Sequence, residues 1–363
     1  MRTAPDDAGL FDDSHHGEAP VALRQLDLFA LNPAMQQYLT EKIIRRGAVL
    51  GHSRGLFEAL TGDLKLDYDA SVTRTASETF DARAGNCLSL VILASAFGKQ
   101  LGTPLHYQLV HGEGAWTRTG GIVFLNGHVN ILLDPYRRYG LMTGTSEPGL
   151  LIDFSPASGV RSRDVEEIAE NTIIAMYMNN RAAETLVDGR IDEAYWWARS
   201  AVREDPSFVS AYNTLGVIYR RSGDLARAER VFSTALREAP RDPQLLVNLA
   251  VLYGQQGRSA DAAGLRRRLA SLDAYQPFQF LDAGYAAMAA GAPAEAMDLY
   301  RKELQHMPYS AEVHYAIAAA SARLGDAGGA RLHLAQAVQL SSNIRERDIY
   351  AGKLQRLQAL HVN

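Results

Sequence analysis

The sequence AYNTLGVIYRRSGDLARAERVFSTALREAP, residues 211–240, decides the fold of the C-terminal half of the chain. Two apolar–polar segments flank Gly223, which stands where a turn between helices needs a positive φ at little cost. The small residues Gly216 and Ala228 allow two helices to approach closely, and Pro240 ends the second helix. The stretch therefore predicts a helix–turn–helix hairpin.

The hairpin recurs with a period of 34 residues, visible in two columns of small residues. The columns are Gly189, Gly223, Gly257, Gly291 and Gly325, and, five residues further on, Ala194, Ala228, Ala262, Ala296 and Ala330. The pattern within 211–240 resembles a tetratricopeptide repeat: Tyr212, Leu215, Gly216, Tyr219, Gly223, Ala228, Phe232, Ala235 and Pro240. We predict an all-α solenoid of about five repeats over residues 169–363, capped by a tail helix at about 345–360.

The copies differ in quality, since Arg266 stands where Phe232 stands in the best copy. Repeat arrays bury their core between neighbouring repeats and present a concave groove. The array is therefore expected to bind a polypeptide substrate or a protein partner in its groove. The alternative is a scaffold that only packs against the front of the chain. The register of Gly189 places the first repeat helix near Asn171, after a linker at 155–164 and a lead-in at 165–170.

The bulk composition is that of an ordinary globular protein: 363 residues, 47% hydrophobic and 21% charged. A net charge of −4 gives no reason to expect nucleic acid as a partner. The longest apolar run, residues 88–97, is shorter than the roughly 20 residues that a transmembrane helix needs. No phosphate loop, dinucleotide fingerprint or zinc signature is present, and we expect no cofactor and no metal.

The first 20 residues carry scattered acidic residues, glycines and prolines, and predict a disordered acidic leader over 1–20. His15 and His16 lack further ligands at metal-binding spacing. No basic start followed by an apolar core is present, so no secretory signal is visible. The expected compartment is the cytoplasm if the chain is full length, and the periplasm or a lipid-anchored location if a signal segment was removed. The oligomeric state is left open.

Residues 21–160 lack the 34-residue repeat, and their order of helical and then strand-like runs predicts an α+β domain. Asn32 and Pro33 read as the cap and first position of a helix to about Arg46, and a second helix is expected over 53–60. A third helix follows Cys87 and ends at Gly102. The strand-like runs that come after it are 105–110, 122–125, 128–133 and 150–154, with turns at 112–114, 120–121, 126–127 and 134–135.

The one cysteine of the chain, Cys87, stands at the predicted start of a helix. Unpaired amides and the helix dipole at that end favour a thiolate over a thiol. Gly85 and Asn86 allow a tight turn in which amides converge on a developing oxyanion. His128 opens a later strand, and Asp153 is a carboxylate in an otherwise apolar strand, where it needs a partner.

This order of cysteine, histidine and aspartate resembles the transglutaminase-like superfamily. A motif like Arg83-x-Gly85-Asn86-Cys87-Leu88-Ser89 recurs in bacterial proteins that join such a domain to tetratricopeptide repeats, and residues 179–184 also look like those proteins. The resemblance implies a papain-like thiol site with Cys87 as nucleophile, His128 as base and Asp153 orienting His128. Leu88 departs from many better-known members, which have an aromatic residue there.

Each assignment has a rival. Cys87 also fits a buried structural cysteine, since free cysteines are often buried. His106 and His111 compete with His128, and Asp134 competes with Asp153. Further candidates for oxyanion or substrate contacts complete the site: Gln108, Asn86 and Trp116.

The resulting hypothesis is a thiol-dependent acyl-transfer enzyme acting on peptide or side-chain amides. Water as acceptor gives a cysteine protease or amidase, a hydrolase, and a lysine amine gives a transglutaminase. The lack of a calcium-loop pattern favours hydrolysis. The rival hypothesis is a non-catalytic repeat protein that binds or scaffolds a partner and carries a degenerate front domain.

Overall fold

The structure is a computed structural model. It describes residues 9–119, 122–133, 149–154, 165–272, 275, 277–341 and 344–359, with the backbone alone at 111–127 and 344–345. The described helices of the front domain are α1 (Val21–Arg24), α2 (Pro33–Tyr38), α3 (Arg45–Leu50), α4 (His52–Glu58), α5 (Ala76–Ala82) and α6 (Cys87–Leu101). A π-helical stretch, Leu39–Ile44, joins α2 to α3, and another, Ala59–Asp63, extends α4.

The first predicted helix is confirmed, because the side chain of Asn32 accepts the N–H of Met35 at 2.9 Å and Pro33 begins α2. The cysteine helix α6 is also confirmed. Asn86 is its N-cap, and Gly102 ends it in the left-handed region at φ 63°. Nearly every side chain of α6 is buried, so this helix forms the centre of the front domain.

The strands form two sheets. β1 (Asp67–Tyr68) and β2 (Ala84–Gly85) pair in parallel. A four-stranded antiparallel sheet has the order β5–β4–β3–β6, from β3 (Leu105–Thr119), β4 (Ile122–Leu133), β5 (Leu150–Ile152) and β6 (Val165–Ile168). Alternate residues on two of its strands are fully buried and form its apolar face: Val129, Ile131, Leu133 and Ile152.

Three predicted boundaries in this region are wrong. The turn predicted at 112–114 lies inside β3, where the register with β4 shifts between Val110 and Ala115. Residues 122–125 and 128–133 belong to one strand, because Asn126 pairs with Ala115 of β3 instead of turning the chain. Residues 165–168 were predicted to lead into the first repeat, but they form β6, whose Ile168 pairs with Tyr107. The front domain thus extends beyond residue 160 to the start of the array. The predicted linker 155–164 lies outside the described residues.

The C-terminal half is a helical solenoid. Its helices pair in sequence: α7 (Glu170–Val187) with α8 (Ile191–Glu204), α9 (Val209–Ser222) with α10 (Leu225–Glu238), α11 (Pro243–Gln255) with α12 (Ser259–Ser271), α13 (Gln279–Ala289) with α14 (Pro293–His306), and α15 (Ala311–Arg323) with α16 (Ala327–Leu340). The tail helix α17 (Ile344–Ala359) packs on α16, as a capping helix should.

The structure confirms the roles predicted for the two columns of small residues, the glycines in turns and the alanines between packed helices. The glycines that separate the paired helices all have φ between 75° and 88°. The alanines five residues later are each at most 1% exposed. A Cβ on Gly216 would lie 2.5 Å from the ring of Phe232, so the close helix approach needs glycine there. No helix in the described part of the chain is long and apolar enough to cross a membrane.

The prediction of a disordered leader is wrong for residues 9–20. Leu10 is only 3% exposed and joins the apolar core that continues into the first repeats. Asp13 forms an ion pair with Arg199 of α8. The acidic segment is ordered because the array supplies both an apolar pocket and arginines, which the leader's own composition does not reveal. Residues 1–8 lie outside the described part.

Candidate active site

Cys87 is the first residue of α6. Only 8% of it is exposed. The preceding Asn86 fixes this helix start, since its Oδ1 accepts both the backbone N–H and the hydroxyl of Ser89 at 2.8 Å. This cap fixes the first turn of α6, which begins at Cys87.

His128 and Asp153 meet beside this thiol. His128 stands near the middle of β4, and Asp153 directly follows β5, the neighbouring strand. Nε2 of His128 is 2.8 Å from Oδ1 of Asp153, and both side chains are largely buried. The Cys87 side chain lies close enough to the His128 ring to contribute to the raised pKa of His128. The three candidate triad residues therefore lie close together, with His128 hydrogen-bonded to Asp153 and near Cys87.

The electrostatics of this cluster favour a charged imidazole. Burial by itself lowers the pKa of His128, but the hydrogen bond to Asp153 and the electrostatic influence of Cys87 and Asp153 together outweigh burial. The net result is a pKa of about 9 for His128, raised from 6.5. His128 is therefore an imidazolium at neutral pH, held between an acceptor carboxylate and a sulfur.

Tyr68 belongs to this cluster and was missed from the sequence. Its phenol group lies close enough to Cys87 for the two groups to influence each other's titration. Burial, and after it the proximity of Cys87, raise the pKa of Tyr68 above its usual range, so the phenol stays protonated. The two-residue pairing of β1 with β2 places Tyr68 opposite Gly85. A strand this short leaves no periodic signal in the sequence.

A loop at residues 69–75 holds the turn before Cys87. Asp69 and Arg74 form an ion pair at 2.9 Å, and the backbone N–H of Asp69 donates to the carbonyl of Gly85 at 3.0 Å. The backbone N–H of Arg74 donates to the hydroxyl of Ser89 at 2.9 Å. Burial, the largest single influence on Asp69, raises its pKa, but hydrogen bonds from Ser71 and Arg74 together outweigh burial and lower the pKa.

The first repeat helix is bonded to the same loop. Nδ2 of Asn180 donates to Oγ1 of Thr73 at 3.3 Å, and the N–H of Thr73 donates to Oε1 of Glu184 at 2.7 Å. Nδ2 of Asn86 donates to that same Thr73 hydroxyl at 2.9 Å. Burial raises the pKa of Glu184, although its pairing with Arg181 opposes this. The segment 179–184 thus connects the array to the cap of the cysteine helix.

The remaining sequence candidates occupy different places. The amide of Asn86, a candidate oxyanion donor, is engaged by Thr73 and Ser89. Gln108 is half-buried on β3, opposite Asn130 of β4. His106 lies two residues before Gln108 on β3, and its Nδ1 is 2.7 Å from Oε1 of Glu167 on β6.

Three sequence candidates cannot be placed by their side chains. The side chains of Trp116 and His111, and all of Asp134, lie outside the described residues. Among the side chains that the structure describes, no group of three or more His, Cys, Asp or Glu converges as a metal site.

Comparison with known proteins matches the array. A family model for the tetratricopeptide repeat matches residues 188–243 and 213–277. Among proteins with curated functions, no sequence matches this chain.

Similar solved structures cover about half of the chain. A point mutant of MamA is 23% identical over 47% of this chain and 100% of its own, with a TM-score of 0.26. PilF of Pseudomonas aeruginosa is 18% identical over 52% of this chain and 94% of its own, with a TM-score of 0.30. YrrB, described as a TPR protein with an unusual peptide-binding site, is 19% identical over 50% and 92%, with a TM-score of 0.26. The C-terminal half of this chain is a solenoid containing tetratricopeptide repeats, a module for protein–protein interaction.

Proposed function

We propose that this chain is a thiol-dependent acyl-transfer enzyme that acts on peptide or side-chain amides, with a transglutaminase-like front domain and repeats that recruit a polypeptide. The observation that carries the proposal is the hydrogen bond of His128 to Asp153, formed beside Cys87 at the start of α6. A raised pKa at a histidine between a thiol and a buried carboxylate is the electrostatic arrangement that a cysteine nucleophile uses.

In the proposed reaction, the sulfur of Cys87 attacks the carbonyl carbon of an amide and forms a carbon–sulfur bond. The imidazolium of His128 gives its proton to the leaving nitrogen, and the carbon–nitrogen bond breaks to release an amine. The neutral imidazole then takes a proton from water or from an acceptor amine, which attacks the thioester and releases the sulfur. Asp153 holds the ring of His128 and stabilises its charged form.

Tyr68 is assigned the role of oxyanion donor in this proposal. Its protonated hydroxyl lies beside the sulfur that attacks, where negative charge would develop on the carbonyl oxygen. Asn86, in contrast, acts as the cap that fixes the position of Cys87. Tyr68→Phe retains the ring and removes the donor, and we expect the turnover number to fall by about 100-fold.

The test uses the fact that Cys87 is the one cysteine of the chain, so alkylation reports on it alone. We expect iodoacetamide at pH 6 to modify native protein faster than protein unfolded in urea. His128→Ala should slow the native reaction by about 100-fold. The matched control is His106→Ala, which removes another sheet histidine paired with a carboxylate, Glu167, and should leave the rate unchanged.

A second candidate function is a non-catalytic interaction protein, favoured by the small exposure of Cys87 and by the hydroxyl of Tyr68 in contact with it. Alkylation no faster in the native than in the unfolded protein, and insensitive to His128→Ala, would establish this alternative. If the chain is an enzyme, incubation with a library of electrophilic peptides should leave some of them covalently attached to wild type but not to Cys87→Ala. The sequences of the attached peptides then identify the acyl donor. A fluorescent amine then separates transamidation, which incorporates it, from hydrolysis, which does not.

A further inference from the structure

The leader segment 9–16 lies on the array in the manner of a bound peptide. Its only regular element is a single 3-10 turn, Asp13–His15. The residues that hold it come from three consecutive helices of the first two repeats, α8, α9 and α10. We name the surface by its residues, the leader site: Asp192, Tyr195, Trp196, Arg199, Tyr219, Arg227 and Arg230.

Apolar and aromatic side chains of the leader enter this site. Leu10 is buried against the core, and Phe11 packs beside it with the guanidinium of Arg199 5.4 Å from its ring. His16 is 7% exposed and stacks on Tyr195 with ring centroids 3.9 Å apart. Buried aromatic anchors of this kind supply most of the affinity in peptide recognition.

Side chains of the array also contact the leader's backbone. The hydroxyl of Tyr219 donates to the carbonyl of Leu10 at 2.9 Å. Nε1 of Trp196 donates to the carbonyl of His16 at 2.9 Å. The hydroxyl of Tyr195 accepts the N–H of Asp12 at 2.8 Å. Such contacts hold the backbone of a polypeptide whatever its side chains, so they suit a ligand supplied by another chain.

Charge supplies the selectivity of the site. Asp12 lies 2.6 Å from Nη1 of Arg227, and Asp13 lies 2.7 Å from Nη2 of Arg199. The Tyr195 hydroxyl also donates to Asp13 at 2.6 Å. Two adjacent carboxylates after an apolar and an aromatic residue therefore match the site at every position from Leu10 to Asp13.

We propose that the leader site is a docking site for a polypeptide segment of the pattern apolar–aromatic–acidic–acidic, which the chain's own leader occupies as an intramolecular competitor. The occupant in trans is a partner protein carrying such a segment, and it binds when the leader is displaced. This pattern gives the chemistry of the polypeptide that the array recruits. It rests on the binding part of the proposed function and is independent of Cys87.

The covalent link between the leader and the array determines how strongly the leader competes with a segment of another chain. A segment that belongs to the same chain as its binding site is present there at an effective concentration of roughly millimolar. A trans segment of equal intrinsic affinity must compete with this concentration, so weakening the leader should raise apparent affinity by at least about 10-fold.

The test measures fluorescence anisotropy of a labelled synthetic peptide of residues 9–18 with the full-length chain. We expect weak binding to wild type and binding tighter by at least about 10-fold to a chain whose own leader carries Leu10→Ser and Asp13→Asn. Adding Arg199→Gln and Arg227→Gln to that chain should abolish binding. Arg237→Gln is the matched control on α10, since Arg237 contacts Thr234 of its own helix.

Equal affinity for both chains, or binding that ignores the two arginines, would overturn the proposal. A second measurement needs no variant. Wild type labelled at its N-terminal amine should lose anisotropy when excess unlabelled peptide displaces the leader, and unchanged anisotropy at millimolar peptide would also overturn it. Because neither readout involves the thiol, a chain that binds the peptide but fails the alkylation test separates this site from the proposed catalysis.

Discussion

The raised pKa of His128 predicts how the stability of the folded chain depends on pH. In the folded chain its pKa is about 9, against 6.5 for an unperturbed histidine. Between these values the folded protein holds a proton that the unfolded chain has released. The resulting stabilisation is therefore complete below pH 6.5 and is lost as the pH rises through 9.

The magnitude follows from the same values. One pKa unit corresponds to about 1.4 kcal/mol, so the rise from 6.5 to about 9 is equivalent to about 3 kcal/mol of unfolding free energy. This figure is a ceiling for the His128–Asp153 pair, because Cys87 contributes part of the effect. Asp153→Asn removes the carboxylate that lies 2.8 Å from Nε2, and the pKa of His128 should fall toward 6.5.

The assay has two parts. NMR titration of the His128 ring should give a midpoint near 9 in wild type and a clearly lower one in Asp153→Asn. Urea unfolding at several pH values should show wild type losing its advantage over Asp153→Asn between pH 6.5 and 9. The control is Glu167→Gln, which alters the His106 pair and should leave the His128 midpoint in place. A wild-type midpoint near 6.5, or a stability difference that does not change with pH, would refute the reasoning.

Three further predictions concern packing and hydrogen bonding, each measured as the unfolding free energy in urea. Gly216→Ala should destabilise by about 1–2 kcal/mol, because its Cβ would lie 2.5 Å from Phe232, whereas Gly254→Ala meets nothing within 4 Å and should stabilise by up to about 1 kcal/mol. Thr73→Val should cost about 1–3 kcal/mol, since it leaves the buried amide of Asn86 without its acceptor. It should also slow the alkylation of Cys87, and an unchanged rate would show that the loop 69–75 does not influence the thiol. Glu303→Gln should cost about 2 kcal/mol or more, because a fully buried carboxylate there accepts three backbone N–H groups that cap α13; equal stability would contradict that role.

The array could be predicted from the sequence because its determinants are local. Each glycine of the 34-residue column needs a positive φ within its own hairpin, and each alanine packs between helices adjacent in the chain. A helix beginning at Cys87 is likewise local, since Asn86 caps it through a residue three positions away. Such interactions leave a fixed spacing in the sequence, so periodicity and capping rules recover them.

What the tertiary structure decided depends on residues far apart in the chain. Tyr68 reaches Cys87 through two strands of two residues each, and β6 joins the sheet by pairing with a strand about 60 residues earlier. The leader contacts the array across 186 residues of chain, from Asp13 to Arg199. The order and strand context of His128 and Asp153 pointed to a site, but only strand register determined that they lie 2.8 Å apart. Contacts between residues so far apart in the chain follow no regular spacing in the sequence. They are fixed by burial and strand register, which arise only when the whole chain folds.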